Sequence, residues 1–533
     1  MKQEEKEGKQ QGRRVEILDS TLRDGEQTNG VSFLPHEKLM IARFLLHDVG
    51  VDRLEVASAR VSEGEKKAVS MICQYAQSMG KLDCIEVLGF VDGCKSIDWI
   101  HECGGRVINL LAKGSLKHCT QQLKKTPQEH IEDILDVLDY AQKVGMHVNL
   151  YLEDWSSGML YSPDYVGQMM DALSKAPIRR FLLPDTLGIL TPSQVSRYIR
   201  RMVDMWPQCQ FDFHAHNDYD LAVANSLAAV EAGATGLHVT VNGLGERCGN
   251  APLSSIQVVL HDQLHIYTHI DETTLLDASH LVEGYSGIAV APNAPVVGDN
   301  VFTQVAGVHA DGDKKGNLYS NELKPERFGR HREYALGKNS GKANIIQNLN
   351  ELGLALTPDQ TKAVTRRITE LGDRKQLVTQ DDLPYIVSDV LKHDAPEDDV
   401  KLVSYMVSTS YGLKPIASLK VNIHGHDYEA DSTGDGQYDA FVKALRKIYR
   451  EELGRSFPLL ENYQVSIPPG GRTDALVQTV ITWRKDDGTV FRTRGLDADQ
   501  TEAAIKATMK MLNMIEQPLE ERISPRNYNV DTL

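Results

Sequence analysis

Short apolar runs alternate with longer amphipathic segments over the first half of the chain. The apolar runs predict eight strands, at Val15–Asp19, Arg53–Ala57, Ile85–Phe90, Val107–Leu111, Val148–Leu152, Arg180–Pro184, Phe211–His214 and Leu237–Val241. The segments between them predict helices, among them Pro35–Asp48, Glu63–Met79, Gln128–Lys143 and Asp220–Ala232. Strands that alternate with helices form parallel sheets, so this half of the chain is predicted to be an α/β domain.

The number of repeats distinguishes a closed barrel from an open sheet. Eight strand–helix repeats over roughly 260 residues match a (βα)8 TIM barrel better than a doubly wound sheet. No GxGxxG motif follows the first predicted strand, which weakens the nucleotide-binding alternative. We therefore predict a TIM-barrel catalytic domain over residues 14–285, preceded by a disordered lead-in at residues 1–13.

The alternation stops after the barrel, and the sequence then changes character twice. Residues 286–350, rich in Gly, Pro, Asn, Lys and His, predict a linker subdomain. A small helical subdomain at 351–397 follows, with helices at Pro358–Leu371 and Asp381–Leu391. Residues 398–516 predict an α+β domain, before a tail at 517–533, with elements at Ser404–Ser410, Ala417–Ile423, Asp439–Glu451, Tyr463–Ile467, Val477–Trp483 and Gln500–Met514. This domain contains no catalytic cluster, which favours a regulatory and dimerising role.

Composition narrows the class of protein. The net charge of −16 argues against a general nucleic-acid binder. The seven cysteines include no CxxC pair, which is typical of a reducing compartment. The charged N-terminal segment lacks the apolar core of a signal peptide, and no apolar run approaches the roughly 18 residues that span a bilayer. We expect a cytoplasmic protein that binds neither nucleic acid nor membranes.

Polar motifs follow several predicted strands, namely DSTLRDGEQ after the first, HAHND after the seventh and NGLGERCGN after the eighth. In a TIM barrel the active site forms at these strand ends. His214 and His216 are two residues apart, so a strand points both side chains to one face. Two imidazoles and one carboxylate suit a catalytic divalent cation, whether Zn, Mn or Mg. We predict a metal site at Asp24, His214 and His216, with Asn250 as a further ligand.

Taken together, these motifs resemble those of the acyl-CoA-condensing metalloenzymes that include 2-isopropylmalate, homocitrate and citramalate synthases. Further matches at 307–312 (GVHADG), 337–342 (GKNSGK) and 467–477 (IPPGGRTDALV) extend the resemblance over nearly the whole chain. Lyases that cleave 3-hydroxy-3-methylglutaryl-CoA share the barrel but lack the C-terminal domain, and they carry a cysteine-glycine loop where this chain has GERCGN. The chain looks most similar to the citramalate synthases, notably at 87–93 (VLGFVDG) and 151–158 (YLEDWSSG).

The resemblance implies that a 2-oxo acid binds the divalent cation while acetyl-CoA supplies the attacking carbon. Arg23 is then expected to stabilise the oxyanion that develops on the ketone oxygen, and Thr186 to hydrogen-bond the substrate carboxylate. Glu153 is expected to remove a proton from the acetyl methyl group. Simpler explanations are an ion pair for Arg23 or Glu153 and a helix N-cap for Thr186.

The resemblance also assigns roles to the linker region. His309 and Tyr334 match residues that assist the base and the thioester, and acetyl-CoA is expected to contact His309, Asp311, Asn317, Leu318 and Tyr319. Polar loop residues need no special function, so ordinary surface positions are the alternative. In the family the linker crosses to a second subunit, which implies a homodimer whose sites combine two chains.

Three residues at predicted strand ends suggest the size of the oxo acid. Leu88, Leu111 and Tyr151 would form a small apolar pocket for its alkyl group, unless they are ordinary barrel core. In isopropylmalate and homocitrate synthases the position of Tyr151 is typically a serine. Apart from the nearby Lys113, no basic residue is placed for the distal carboxylate of 2-oxoglutarate. A methyl-sized pocket predicts pyruvate as substrate and (R)-citramalate as product. The C-terminal domain, which resembles the regulatory domain of the family, implies feedback control by the end product of the pathway, which for citramalate is isoleucine.

Three alternatives stay open. A 2-isopropylmalate synthase would use 2-oxoisovalerate and respond to leucine. A non-catalytic amino-acid sensor predicts a damaged metal set, whereas all four predicted ligands are present. A lyase or aldolase on the same barrel would not need the C-terminal domain or the motifs of the linker region.

Overall fold

The computed structural model describes residues 14–304, 318, 321–334, 336, 342–351, 356–373, 378, 383, 386–387, 390, 400–466 and 477–516. The chain divides into two compact units, Met1–Thr303 with Ser320–Arg332 and Gln304–Tyr319 with Glu333–Leu533. Among the described residues, no helix is long and apolar enough to cross a membrane.

Eight parallel strands close into a barrel in the first unit, and β8 pairs with β1 to complete it. Their bounds are β1 Glu16–Asp19, β2 Arg53–Ser58, β3 Ile85–Phe90, β4 Val107–Lys113, β5 His147–Glu153, β6 Ile178–Asp185, β7 Phe211–Ala215 and β8 Gly236–Val239. The predicted TIM barrel is confirmed. β8 ends before its predicted limit because the chain turns into a 3-10 segment at Val241–Gly243, where Asn242 has a φ of 57°.

Helices connect the strands and pack apolar side chains against the barrel core. They are α1 Pro35–Arg43, α2 Glu63–Ser78, α3 Lys95–Glu102, α4 Pro127–Lys143, α5 Trp155–Tyr161, α6 Pro163–Leu173, α7 Pro192–Met205, α8 Ala222–Ala232, α9 Leu253–Leu264 and α10 Leu275–Ser286. α4 begins with a capping box, in which Thr126 accepts from the Glu129 amide and Glu129 accepts from the Thr126 amide. The four predicted helices of this region correspond to α1, α2, α4 and α8.

Buried charges occupy the N-terminal ends of the barrel strands. Arg53 donates to Glu86 at 3.0 Å, pairs with Glu16 at 3.1 Å and contacts Asp212. Arg180 contacts Glu16 and lies 3.5 Å from Asp212. Burial alone would raise the pKa of Asp212, but Arg53, Arg180 and His238 together outweigh burial and hold it below its ordinary range. The two arginines and three carboxylates form the lower ion cluster.

The second unit begins with short elements and two helices. The structure gives β9 Thr303–Gln304, β10 Glu333–Tyr334, α11 Lys342–Glu351 and α12 Pro358–Asp373. A small apolar core joins Ile345 and Leu349 of α11 to Val364 and Ile368 of α12. α12 corresponds to the predicted helix at 358–371, whereas most of the helix predicted at 381–391 lies outside the described residues.

Two antiparallel three-stranded sheets, each followed by a helix, form the C-terminal part of this unit. The elements are β11 Val400–Ser408, β12 Ile416–Ile423, β13 His426–Thr433, α13 Gln437–Lys447, β14 Leu459–Ser466, β15 Val477–Arg484, β16 Val490–Asp497 and α14 Gln500–Glu516. One apolar core contains residues from both repeats, including Phe441 of α13, Trp483 of β15 and Met511 of α14. The predicted α+β character is confirmed, although the sequence patterns do not predict β13 and β16.

Candidate active site

Three potential metal ligands meet at the C-terminal ends of β1 and β7. Asp24 lies in the loop after β1, His214 lies within β7, and His216 follows its last residue. The Nε2 atom of His214 is 3.0 Å from Asp24 Oδ2, and Nε2 of His216 is 3.8 Å from the same oxygen. All three side chains are buried, and their ligand atoms lie within 4.8 Å of one another. These residues form the metal-ligand cluster.

The charges of this cluster suit a cation. Burial alone would raise the pKa of Asp24, but the Arg23 guanidinium and the two imidazoles outweigh burial and hold it below its ordinary range. Burial, with a smaller contribution from His214, lowers the pKa of His216 to about 4. The carboxylate is therefore ionised and the His216 ring is neutral near pH 7. A neutral imidazole keeps a lone pair for a metal, so the residues fit a divalent cation.

Asn250 lies beside the metal-ligand cluster and forms an isolated β-bridge with His216. Its Nδ2 atom donates to Asp24 Oδ2 at 3.1 Å and to the Leu244 carbonyl at 3.0 Å. Its Oδ1 atom is buried and has no hydrogen-bond partner within the described part of the chain. The amide nitrogen rather than the oxygen faces Asp24, so the assignment of Asn250 as a metal ligand stays a prediction.

Arg23 approaches the same cluster from the loop after β1. Its Nη1 atom lies 3.5 Å from Asp24 Oδ1, and its Nε atom donates to Glu55 at 2.7 Å. Glu55 is fully buried in β2 and also accepts from Ser20 and Asn109. Arg23 is therefore both an ion-pair partner and a fixed cation beside the metal ligands. The sequence patterns do not identify Glu55, although a carboxylate within the apolar run RLEVAS was a usable signal.

The structure brings Leu88, Leu111 and Tyr151 together and adds Leu182 of β6 to the same apolar group. These four residues form the pocket wall. Tyr151 joins the wall to the polar residues, since its hydroxyl lies 3.4 Å from Arg23 Nη2. Its ring meets the His214 ring edge-on, with centroids 6.3 Å apart. The apolar wall thus adjoins the metal-ligand cluster.

Glu153 ends β5 two residues after Tyr151, so both side chains project from the same face of the strand. The Glu153 carboxylate is about one quarter exposed and contacts Lys113 Nζ at the end of β4. The ion pair that was an alternative for Glu153 therefore exists. The sequence patterns place Lys113 near this site but give it no role with Glu153.

Thr186 follows β6, and its hydroxyl oxygen accepts a hydrogen bond from the Asp154 amide at 2.9 Å. This contact leaves the hydroxyl proton available for another acceptor. Thr191 rather than Thr186 caps the next helix, because its side chain accepts from the Gln194 amide. The N-cap explanation for Thr186 is therefore wrong.

The predicted acetyl-CoA residues belong to the second unit. Leu318 lies in a turn and is mostly exposed, and Tyr334 is the last residue of β10. The carbonyl of Tyr334 accepts a hydrogen bond from Asn348 Nδ2 at 2.8 Å. The remaining predicted residues of this group lie outside the described residues, namely His309, Asp311, Asn317 and Tyr319.

Comparison with known families accounts for almost the whole chain. Residues 14–282 match the HMGL-like family, residues 296–376 the homocitrate synthase post-HMGL domain-like family, and residues 377–516 the LeuA allosteric (dimerisation) domain. A Methanopyrus kandleri protein named as a probable 2-isopropylmalate synthase is 38% identical over 94% of this chain and 98% of its own length. The chain belongs to the 2-alkylmalate synthase family.

Two proteins of Methanocaldococcus jannaschii allow this chain to be compared with both kinds of synthase. Its 2-isopropylmalate synthase is 35% identical, over 94% of this chain and 95% of that protein. Its (R)-citramalate synthase is 34% identical, over 94% of this chain and 99% of that protein. Because the two identities are nearly equal, overall similarity does not distinguish the two kinds of synthase. The greater likeness to citramalate synthases expected from local motifs therefore depends on the residues of the pocket.

Proposed function

We propose that this protein condenses acetyl-CoA with pyruvate to form (R)-citramalate and CoA. The observation that carries the proposal is the position of the metal-ligand cluster and Arg23 next to the apolar pocket wall. A 2-oxo acid has two oxygen-bearing groups at one end and an alkyl group at the other. The polar cluster suits the first end and the wall suits the second. This reaction would begin a pyruvate route to isoleucine.

Asp24, His214 and His216 would hold a divalent cation, Zn, Mn or Mg, and Asn250 would contribute its Oδ1 atom after rotation of the amide. When bound, the cation would supply Lewis-acid polarisation of the ketone. Thr186 would orient the substrate by donating its remaining hydroxyl proton to the carboxylate. Substrate orientation at this site therefore combines residues from the ends of four different strands.

Glu153 would accept a proton from the methyl group of acetyl-CoA. A new carbon–carbon bond then forms at the ketone carbon, and the electron pair of the carbonyl moves to its oxygen. Arg23 would donate to that oxygen as its negative charge develops, while Glu55 keeps the guanidinium in place. Protonation of the oxygen and attack of water on the thioester would complete the reaction and release CoA.

The acetyl-CoA side of the site is proposed from the family. His309 and Tyr334 would assist the base and the thioester, and acetyl-CoA would contact Asp311, Asn317, Leu318 and Tyr319. If these residues come from the second subunit of a homodimer, neither His214→Ala nor His309→Ala homodimers would be active. Mixed dimers of the two variants would recover part of the activity. No recovery in confirmed mixed dimers would contradict a shared site.

A substrate series tests the reaction and the choice of pyruvate together. The assay measures thiol release from acetyl-CoA with pyruvate, 2-oxobutanoate, 2-oxoisovalerate and 2-oxoglutarate. We expect the highest kcat/KM for pyruvate, about tenfold or more above 2-oxobutanoate, because the Tyr151 ring would exclude an alkyl group longer than methyl. Glu153→Gln should remove the activity, whereas the exposed Glu132→Gln serves as the matched control. A preference for 2-oxoisovalerate would contradict pyruvate and favour 2-isopropylmalate synthase.

Feedback control is proposed for the C-terminal domain, which matches the LeuA allosteric (dimerisation) family over residues 377–516. We expect isoleucine to inhibit the full chain more strongly than leucine does. Truncation near residue 395 should abolish inhibition, because an effector acts only through a site that is present. Unchanged inhibition after truncation would contradict the assignment.

A further inference from the structure

Tyr151 is held from two sides by polar residues behind the pocket wall. On one side Arg23 Nη2 lies 3.4 Å from the Tyr151 hydroxyl oxygen. On the other side Nδ1 of His238, a residue of β8, lies 2.9 Å from the same oxygen. The two rings are nearly perpendicular, at 89°, with centroids 5.6 Å apart. His238 is 1% exposed, so water does not compete for this hydrogen bond.

The neighbouring groups favour one direction for each hydrogen bond. A guanidinium can only donate, so the Tyr151 oxygen accepts from Arg23. Nε2 of His238 lies 3.6 Å from Asp212 Oδ2, and this carboxylate favours the proton on Nε2, which leaves Nδ1 to accept from the Tyr151 hydroxyl. Asp212 belongs to the lower ion cluster, where Arg53 holds it. The separation of 3.6 Å is longer than a hydrogen bond, so Asp212 acts on His238 through its charge, and the hydrogen bond to the ring comes from Tyr151.

The hydrogen bonds and apolar contacts of Tyr151 limit how its ring can move. Leu88 and Leu182 pack against the ring, and the hydroxyl is tied to β8. A tyrosine side chain has two rotatable bonds, so fixing both its ring and its hydroxyl defines its position. A 2-oxo acid longer than pyruvate would need the ring to swing aside, and that movement would break the contact with His238.

We propose that His238 is a positioning residue that sets the size limit for the 2-oxo acid by anchoring Tyr151. The inference rests on the proposed function, since it assigns a cause to the preference for pyruvate. His238 itself would not touch the substrate. Its effect would therefore be seen in discrimination between substrates rather than in an equal loss of activity on all of them.

Matched variants separate anchoring from general damage. His238→Leu removes the acceptor for the Tyr151 hydroxyl. His238→Asn keeps a side-chain oxygen at the distance of Nδ1 from the backbone, whereas His238→Gln places it at the distance of Nε2. We expect the ratio of kcat/KM for pyruvate over 2-oxobutanoate to fall about tenfold in His238→Leu and His238→Gln. His238→Asn should keep the ratio within about threefold.

A double-variant cycle tests whether His238 acts through Tyr151. Tyr151→Phe keeps the ring but removes the hydroxyl, so it should lower the same ratio. Adding His238→Leu to Tyr151→Phe should then change the ratio no further. Because the His238 and His214 rings lie 5.4 Å apart, metal content is measured in every variant and should match that of the unmodified enzyme.

The outcomes distinguish this inference from the proposed function. An unmodified enzyme that prefers a larger oxo acid, or releases no thiol with any of them, overturns both. An unmodified enzyme that prefers pyruvate while His238→Leu keeps the full ratio overturns the role of His238 alone. Multiplicative effects in the double variant also overturn it. If His238→Leu fails to fold, the comparison of His238→Asn with His238→Gln decides, and equal ratios in those two variants overturn anchoring.

Discussion

The barrel has one polar cluster at each end of its strands. In the lower ion cluster, two arginines are enclosed by three carboxylates, and each cation lies against an anion. In the metal-ligand cluster, one carboxylate and two imidazoles direct lone pairs toward a single region. Of the two, the metal-ligand cluster is the one that brings three possible ligand atoms for a single cation within 4.8 Å of one another.

We expect this difference to separate residues that hold the barrel together from residues that bind a ligand. In TIM barrels the N-terminal ends of the strands mainly serve stability, whereas the C-terminal ends carry chemistry. β7 shows both uses within one strand, because Asp212 joins the lower ion cluster and His214 the metal-ligand cluster. Substitutions at the two ends should therefore affect different measurements.

The largest effect is expected in the metal-ligand cluster, at the C-terminal ends of the strands. His216→Ala should remove most of the bound metal and lower kcat/KM by about 10³-fold, since Lewis-acid assistance supplies several kcal/mol of transition-state stabilisation. Elemental analysis and the thiol-release assay measure the two losses. His36→Ala, at an exposed position of α1, is the control. Full metal content in His216→Ala would refute its assignment as a ligand.

In the lower ion cluster, at the N-terminal ends of the strands, a substitution is expected to lower the stability of the protein. Arg53→Met would leave Glu86 and Asp212 without their main cation, and breaking a buried ion pair on one side costs about 3–5 kcal/mol. Urea unfolding measures this loss. The folded variant should keep its metal and a kcat within about twofold of the unmodified value. A large fall in kcat without a fall in stability would break the distinction between the two ends.

A buried histidine near the C-terminal end of β4 gives a further test of the two ends of the barrel, through the pH dependence of stability. His130 accepts a hydrogen bond from the Lys113 amide through Nε2, and burial lowers its pKa to about 4. Between pH 6.5 and 4 the unfolded chain therefore binds more protons at this residue than the folded chain does. Its contribution to stability is complete above pH 6.5 and is lost as the pH falls toward 4.

His130→Gln keeps an acceptor for the Lys113 amide but cannot take up a proton. The free energy of unfolding should therefore fall less between pH 7 and pH 5 in this variant than in the unmodified protein. His101→Gln, at an exposed position of α3, should leave the fall unchanged. Equal pH dependence in His130→Gln and the unmodified protein would show that His130 does not contribute.

The smallest effect is expected for an exposed ion pair near the N-terminal ends of the strands. Arg14 pairs with Asp52 at 3.0 Å, but its side chain is 64% exposed. Exposed ion pairs contribute about 0–1 kcal/mol, so Arg14→Ala should change the urea midpoint far less than Arg53→Met does. Similar effects of the two substitutions would mean that burial does not determine the strength of these ion pairs.

The barrel could be predicted because each of its strands is a short apolar run bounded by polar residues. β13 and β16 could not, since β13 reads HDYEADST and β16 reads VFRTRGLD, and charged residues interrupt the apolar positions of both. Backbone hydrogen bonds to β12 and β15 hold these two segments as strands, although their own sequence patterns do not predict strands. In these sheets tertiary contacts, rather than local periodicity, define the outer strands.

Within the candidate site, the position of a polar residue along its strand decides whether the sequence reveals it. Asp24, His214 and His216 lie at or beyond strand ends, where a TIM barrel places chemistry, and the structure brings them together. Glu55 and His238 lie inside strands, where a polar residue in an apolar run has no evident partner. Their roles depend on neighbours contributed by other strands, which no local pattern specifies.

The hydrogen bond between Tyr151 and His238 also constrains how this enzyme could evolve. Replacing either residue alone by one that cannot form this hydrogen bond leaves a buried hydroxyl or imidazole without its partner, at a cost of about 1–3 kcal/mol. A lineage that shifts toward bulkier substrates by a single replacement would therefore pass through a less stable ancestor. Descendants that retain both residues, or exchange both together, avoid that step, so the two positions should covary as substrate preference diverges.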